Sequence, residues 1–468
     1  MEFSSYEFWL SLLPSIIIIL IGNYCLRNND TKRLVFHKIF ICGLSLSLLG
    51  MTNLLTLCIF LFVILTAWIA CNWAVCRSKK TKHILLAFLI IVLLLPLGYY
   101  KYADFIFNDI AGRQWDALRD LIIPIGISFY TFQILGFCID TLKNDEPIPQ
   151  FIDYINFSSF FPQIVAGPIE RKNDLLPQMQ HLDLRLKFTN LNQGIPYIIL
   201  GLFFKLTLAD NMAAAFIPDY MGNSALTIWT NNLLFTFRIY FDFAGYGLTA
   251  YGIAKCLGIT LRMNFLSPYT ATNISDFWRR WHTSLTLWFR DYIYFPLGGS
   301  RTKRWALNLL IVFAISGIWH GAGWNFILWG IISGISIVIH RIFRNVGKRL
   351  PSMIGWIITF GLMVCVWMFF YDTNLEHLSH HISVICHIEN YSISSYLDTV
   401  ISLHQRGSIP FLLLPLAFLT IGMEYLSSLK NKNNPYHFLL TPSACCVMVF
   451  LMITLGSFIQ NSFIYFSF

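Results

Sequence analysis

Long apolar runs alternate with short polar stretches along almost the whole chain. The runs fall at 8–26, 36–50, 53–75, 83–100, 121–139, 194–216, 226–254, 306–321, 323–339, 353–370, 410–425 and 444–464, about twelve in all. A helix that crosses a bilayer needs roughly 20 mostly apolar residues. Repetition at that length predicts an all-α, polytopic membrane protein with about 11–12 transmembrane helices. The first run follows Met1-Glu2-Phe3, with Glu7 beside it. It lacks the basic start and small-residue cleavage site of a secretory signal, so it is expected to stay as the first span.

Two stretches break the pattern. Asp153 to Glu170 is apolar but carries Pro162, Gly167 and Pro168, and a straight helix through it would lose backbone hydrogen bonds. Irregular backbone at membrane depth survives only where protein or a water-filled cavity satisfies it, so a re-entrant or buried segment lining a cavity is expected. In the stretch 275–294, Trp278, Trp281, Leu285, Trp288 and Tyr292 recur at helical spacing, with Asp276, Arg279, Thr283, Thr286 and Arg290 opposite. That spacing predicts one amphipathic helix at the membrane interface, with His282 on the boundary between its faces. Pro296-Leu-Gly-Gly299 ends it.

Composition agrees with the pattern. The 468 residues are 56% hydrophobic and 12% charged, with a mean hydropathy of +0.60. Soluble domains carry about a quarter charged residues, so this chain could not cover a water-facing surface. The net charge of +9 sits in short loops, chiefly 27–38, 77–82, 341–349 and 430–432. Such loops follow from the positive-inside bias and call for no nucleic-acid partner; their side is expected to be cytoplasmic, with the N-terminus outside. The 11 cysteines form no Cys-x-x-Cys pair, and most lie in apolar runs, so no disulfide framework or metal site is expected. Without fixed-period repeats or long linkers, residues 1–468 read as a single membrane domain.

Candidate chemistry centres on two histidines. His320 lies in Ser316-Gly-Ile-Trp-His-Gly-Ala-Gly-Trp-Asn325, between apolar stretches. An ionisable group at membrane depth is a functional candidate, and a neutral imidazole can act as general base on a hydroxyl. Helix packing weighs equally on the residues alone, because Gly317 and Gly321 form a small-xxx-small pair. His282 is the second candidate, against the plainer reading of an interfacial ring. Arg279, Arg280, Arg290, Arg301, Lys303 and Arg304 concentrate positive charge that would suit a phosphorylated donor or anionic lipid. His377, His380 and His381 read as a solvated loop, and Asp242 as a partner for Arg238 one turn away. No lipase-type serine elbow or phosphate-binding loop is present.

Seven motifs in order resemble the membrane-bound O-acyltransferase family, in its bacterial polysaccharide-acetylating branch. They are Pro124-Ile-Gly-Ile-Ser-Phe-Tyr-Thr-Phe132, Phe160-Phe-Pro-Gln-Ile-Val-Ala-Gly-Pro-Ile169, Tyr240-Phe-Asp-Phe-Ala-Gly-Tyr246, Asn264-Phe-Leu-Ser-Pro-Tyr269, Asp276-Phe-Trp-Arg-Arg-Trp-His282, Trp288-Phe-Arg-Asp-Tyr292 and Gly317-Ile-Trp-His-Gly-Ala322. The core of the likeness spans 122–340, and Phe463-Ile-Tyr-Phe-Ser-Phe468 also looks like that branch. The resemblance implies a ring of helices around a central cavity, with His320 and His282 as the catalytic pair. Arg279, Arg290, Asp276, Trp319 and Asn325 are the candidate donor- or substrate-binding residues. It further implies no bound cofactor, acetyl-coenzyme A or a similar acyl donor on the cytoplasmic side, and an extracytoplasmic glycan acceptor. A separate periplasmic or surface partner of the SGNH-hydrolase type would complete the transfer. One departure is visible: where the family often carries an arginine, this chain reads Phe369-Phe-Tyr-Asp372. The rival readings are a non-catalytic transporter of an acyl donor or lipid-linked sugar, and D-alanyl transfer to teichoic acid.

Overall fold

The computed structural model describes residues 3–119, 121–345, 350–405, 410–431, 434–457, 461, 463 and 464. Every regular element among them is helical. Eight helices are long and apolar enough to cross a membrane: Tyr6–Cys25, Asp30–Thr52, Leu54–Ala74, Lys79–Tyr102, Phe188–Ala215, Trp324–Arg344, Ser352–Tyr371 and Leu412–Lys430. The remaining predicted runs are also helical, as Ile127–Lys143, Ala225–Cys256, Trp305–His320 and Pro442–Leu455. Trp305–His320 and Pro442–Leu455 are shorter, at 16 and 14 residues, and Ala225–Cys256 carries Asn231, Asn232, Arg238 and Asp242 among its apolar positions. The polar breaks between the first runs work as helix starts. Ser5, Asn29, Asn53 and Ser78 each accept a hydrogen bond from a backbone N–H of the following turn.

The described chain groups into two compact units, the first made of residues 1–198 and 249–263. Its broken apolar stretch runs as Phe151–Ser159, a bend at Phe160, and the short Phe161–Ile164 turn. The expectation of a buried irregular segment holds here, and side chains satisfy it. Lys38 pairs with Asp153 at 2.6 Å, and the Gln133 and Gln163 amides both donate to the Phe157 carbonyl at 3.0 and 2.7 Å. Gly126, at φ +76°, leaves room for the Ile164 carbonyl, which a Cβ would meet at 2.5 Å. Burial pushes the Glu170 carboxyl up to about 7, although it accepts the Arg262 N–H at 2.6 Å.

The second unit comprises residues 199–248 and 264–468 and holds both histidines. The Trp305–His320 and Trp324–Asn345 helices meet backbone to backbone in it. A Cβ on Gly317 would lie 2.2 Å from the Phe326 carbonyl oxygen, and one on Gly330 2.3 Å from that of Phe313. The small-residue pattern is thus a packing device, and it fixes the helix that ends at His320.

A buried charge cluster forms the other framework of this unit. Lys205 bridges Asp210 and Asp242, each at 2.9 Å. Asp242 also accepts the Ile464 N–H at 2.7 Å, and Lys205 donates to the Asn461 carbonyl at 3.0 Å. Ser457 N–H and the Asn211 amide add bonds to Leu206 and Leu455 carbonyls. Lys205, and not the expected Arg238, makes the direct contact with Asp242, because the carboxylate faces the neighbouring helix; Arg238 interacts with it only electrostatically. Asn461 and Ile464, beyond the Pro442–Leu455 helix, are therefore tied by charge, which the apolar run at 444–464 did not foretell.

Candidate active site

His282 does not ride on a continuous amphipathic helix. The stretch divides into Ile274–Arg280, Thr283–Phe289 and a short wider turn at Arg290–Tyr294. His282 sits between the first two with φ 42° and ψ 56°, the left-handed region that L side chains seldom adopt. The cause is competition for backbone groups from Asn264 and its neighbours. Leu266 N–H donates to the Arg280 carbonyl at 3.0 Å, and Thr283 N–H donates to the Asn264 carbonyl at 2.8 Å. The Ser284 hydroxyl donates to the Asn264 side-chain oxygen at 2.6 Å. These bonds replace the ones a straight helix would make. The apolar face of the segment packs into the protein: Trp278, Trp281, Leu285, Trp288 and His282 are all buried.

The break aims His282 into an aromatic enclosure. Its ring meets Phe243 edge-on at 4.8 Å between centroids, and Trp319 at 5.9 Å. His320, the last residue of the Trp305–His320 helix, meets the same Trp319 at 4.9 Å. Trp329 and Phe370 complete its surroundings at 4.9 and 5.4 Å. Both imidazoles are buried, at 2% and 3% exposure, and they touch opposite ends of one short contact chain through a single indole. In such an environment the neutral ring is the less costly form, which is the form a general base needs.

The other predicted residues separate into two groups. Trp319 and Asn325 belong to the enclosure: Trp319 joins the histidines, and the buried Asn325 amide donates to the Phe370 carbonyl at 3.4 Å. Asp276, Arg279 and Arg290 lie on the outer side of the broken segment. Asp276 pairs with Arg280 at 2.6 Å and with Arg279 at 3.6 Å, while Arg290 pairs with Asp291 at 2.7 Å. The Arg279 side chain is 69% exposed.

Residues that the sequence did not single out shape the site as well. Phe243 is wedged between His282 and Phe463, whose rings lie 4.8 and 5.6 Å from it, so Phe463 backs the His282 side. Asn264 sets the left-handed turn. Phe370, in the Phe369–Asp372 stretch, packs on His320. The histidine run at 377–381 is not a solvated loop. It lies on the Leu375–Cys386 helix, and buried His381 ties that helix to Asp372 at 3.1 Å and to the Tyr220 carbonyl at 2.7 Å. Burial alone would lower the His381 pKa, but its bonds to Asp372 and Tyr220 hold it above the ordinary value.

The fold and this pair define a many-span membrane protein that buries two imidazoles on one indole. Comparison with known proteins gives that class its family. The family profile MBOAT, membrane-bound O-acyltransferase, matches residues 39–373. The peptidoglycan O-acetyltransferase of Helicobacter pylori is 32% identical over 425 residues, covering 80% of each chain. The probable alginate O-acetylase AlgI of Pseudomonas aeruginosa is 34% identical over 356 residues, 73% of this chain and 68% of that relative. A teichoic acid D-alanyltransferase of Bacillus subtilis is 28% identical over 414 residues, covering 81% of this chain and 99% of its own. The chain belongs to the membrane-bound O-acyltransferase family. It is an acyltransferase and a multi-pass membrane protein, and the transporter reading is set aside.

Proposed function

We propose that the protein transfers an acetyl group from a cytoplasmic activated donor, acetyl-coenzyme A or a similar thioester, toward hydroxyls of an extracytoplasmic polysaccharide in the cell membrane. The observation that carries this reading is the contact of His282 and His320 with one buried indole. His320 acts as general base: it removes the proton of the incoming hydroxyl as that oxygen attacks the acyl carbonyl carbon. A tetrahedral oxyanion forms, and its collapse releases the thiolate. His282 positions or polarises the acyl carbonyl, where developing negative charge is stabilised. Trp319 sets the spacing between the two rings, and Asn325 supports Phe370 against His320. Arg279 and Arg290, exposed and paired with neighbouring carboxylates, hold phosphate groups of the donor with Asp276 tuning their approach. The basic loops give the orientation, with the N-terminus outside. A separate SGNH-hydrolase-type partner completes delivery to the glycan.

Purified protein reconstituted with acetyl-coenzyme A and a hydroxyl acceptor tests this directly. His320→Ala is expected to lower acyl turnover by about 10²–10⁴-fold while inserting and purifying normally, the range set by general-base assistance. Turnover near the wild-type rate would overturn the assignment. A second reading, D-alanyl transfer, draws on the Bacillus subtilis relative. Mass spectrometry of surface glycans from cells with and without the protein separates the two by the mass of the group lost.

A further inference from the structure

Two of the cysteines meet. Cys71, near the end of the Leu54–Ala74 helix, and Cys138, on the Ile127–Lys143 helix, bring their sulfurs to 3.9 Å across 67 residues of sequence. Both are fully buried, the Cys71 thiol donates to the Cys138 sulfur without a disulfide between them, and both lie in the first unit. A disulfide needs sulfurs about 2.05 Å apart, a closure that small side-chain rotations supply when the atoms already touch.

Chance contact between apolar thiols would leave both in a greasy wall, and Cys71 is not placed so. Cys71 lines a cavity of about 140 Å³ whose other walls include Lys82, Thr141, Asp145 and Glu146. Lys172 stands beside it, buried, donating to the Thr141 hydroxyl at 3.2 Å and pairing with Glu146 at 3.3 Å. Its ammonium also interacts electrostatically with Cys71. Cys71 lines the cavity and Cys138 stands behind it, so a small oxidant entering there meets the Cys71 sulfur first.

We propose that Cys71 and Cys138 are a redox-closable thiol pair, a modification site reached through this polar cavity by a small peroxide. The Cys71 thiolate attacks one oxygen of hydrogen peroxide, breaking the O–O bond to give Cys71 sulfenic acid and hydroxide. The Cys138 thiol then attacks that sulfur, forming the S–S bond and releasing water. Two electrons pass from the sulfurs to the peroxide, and a dithiol reductant reverses the change. The outcome is a covalent staple between the two helices.

The test uses the full chain in detergent, treated with hydrogen peroxide, blocked with N-ethylmaleimide, digested and analysed by mass spectrometry. A Cys71–Cys138 linked peptide is expected, lighter by two hydrogens than the pair of reduced peptides and lost on reduction with dithiothreitol. Cys138→Ser is expected to leave Cys71 as a sulfenic acid that dimedone traps. Cys71→Ser is expected to lower peroxide consumption at Cys138 by at least about tenfold, since the sulfur that lines the cavity is gone. Absence of the linked peptide from the wild-type chain, when exposed Cys25 and Cys76 have already been oxidised, overturns the proposal. So does dimedone labelling of Cys138 in place of Cys71.

Discussion

At the scale of single residues, His282 is defined as much by its backbone as by its ring. A left-handed conformation costs an L residue roughly 1–2 kcal/mol and glycine nothing. His282→Gly is therefore expected to be more heat-stable in detergent than His282→Ala by about 1 kcal/mol, while both lose most acyl transfer. The reverse order of stability would argue against the turn set by Asn264. His381 gives a second test. Its folded-state pKa is raised above the ordinary 6.5, so its pairing with Asp372 contributes fully below that pH and fades as pH rises through the folded value. Raising the pH from about 6 to about 9 should lower the wild-type melting temperature more than that of His381→Gln. Equal slopes would remove the ion pair from the account. Of these residues, His320 was legible from its depth in an apolar run. The turn at His282 was not, because the bonds that break the helix come from Asn264, 20 positions away from Ser284.

Among the elements, the paired helices that carry His320 show what sequence patterns convey and what they miss. The runs and their polar breaks located the helices, since apolar length and capping residues are local properties. The small-residue spacing at Gly317 signalled a close crossing, but its true counterpart, Gly330, lies on the next helix. Gly317→Ala drives a Cβ into the Phe326 carbonyl and should destabilise by about 1–3 kcal/mol, with acyl transfer falling as His320 shifts. Thermal denaturation and turnover on the same preparation measure both. Unchanged stability would mean that the helices stand further apart. The stretch 275–294 misled for the opposite reason: its aromatic spacing fits a helix well, and only tertiary hydrogen bonds interrupt it.

Across the molecule, the Lys205–Asp210–Asp242 cluster is the largest feature that apolar patterning concealed. Asp242 stood out as a carboxylate in an apolar run, yet Arg238 was the nearer suitor along the sequence, and Lys205 lay unremarked 37 positions earlier. Removing one member of a buried pair leaves an uncompensated charge, so Lys205→Met should cost about 3–5 kcal/mol. The triple change Lys205→Met, Asp210→Asn, Asp242→Asn should recover part of that loss, because the two carboxylates left without Lys205 are neutralised with it. A triple variant less stable than the single one would contradict this.

The same cluster bears on how the protein is made. Lys205 and Asp242 enter the bilayer early, yet the groups that complete their coordination, Asn461 and Ile464, follow 256 and 222 residues later. At ribosomal speeds that interval lasts roughly ten to fifty seconds. Through it the nascent protein holds an open polar notch, which gives membrane quality control a mark for chains whose synthesis stopped short.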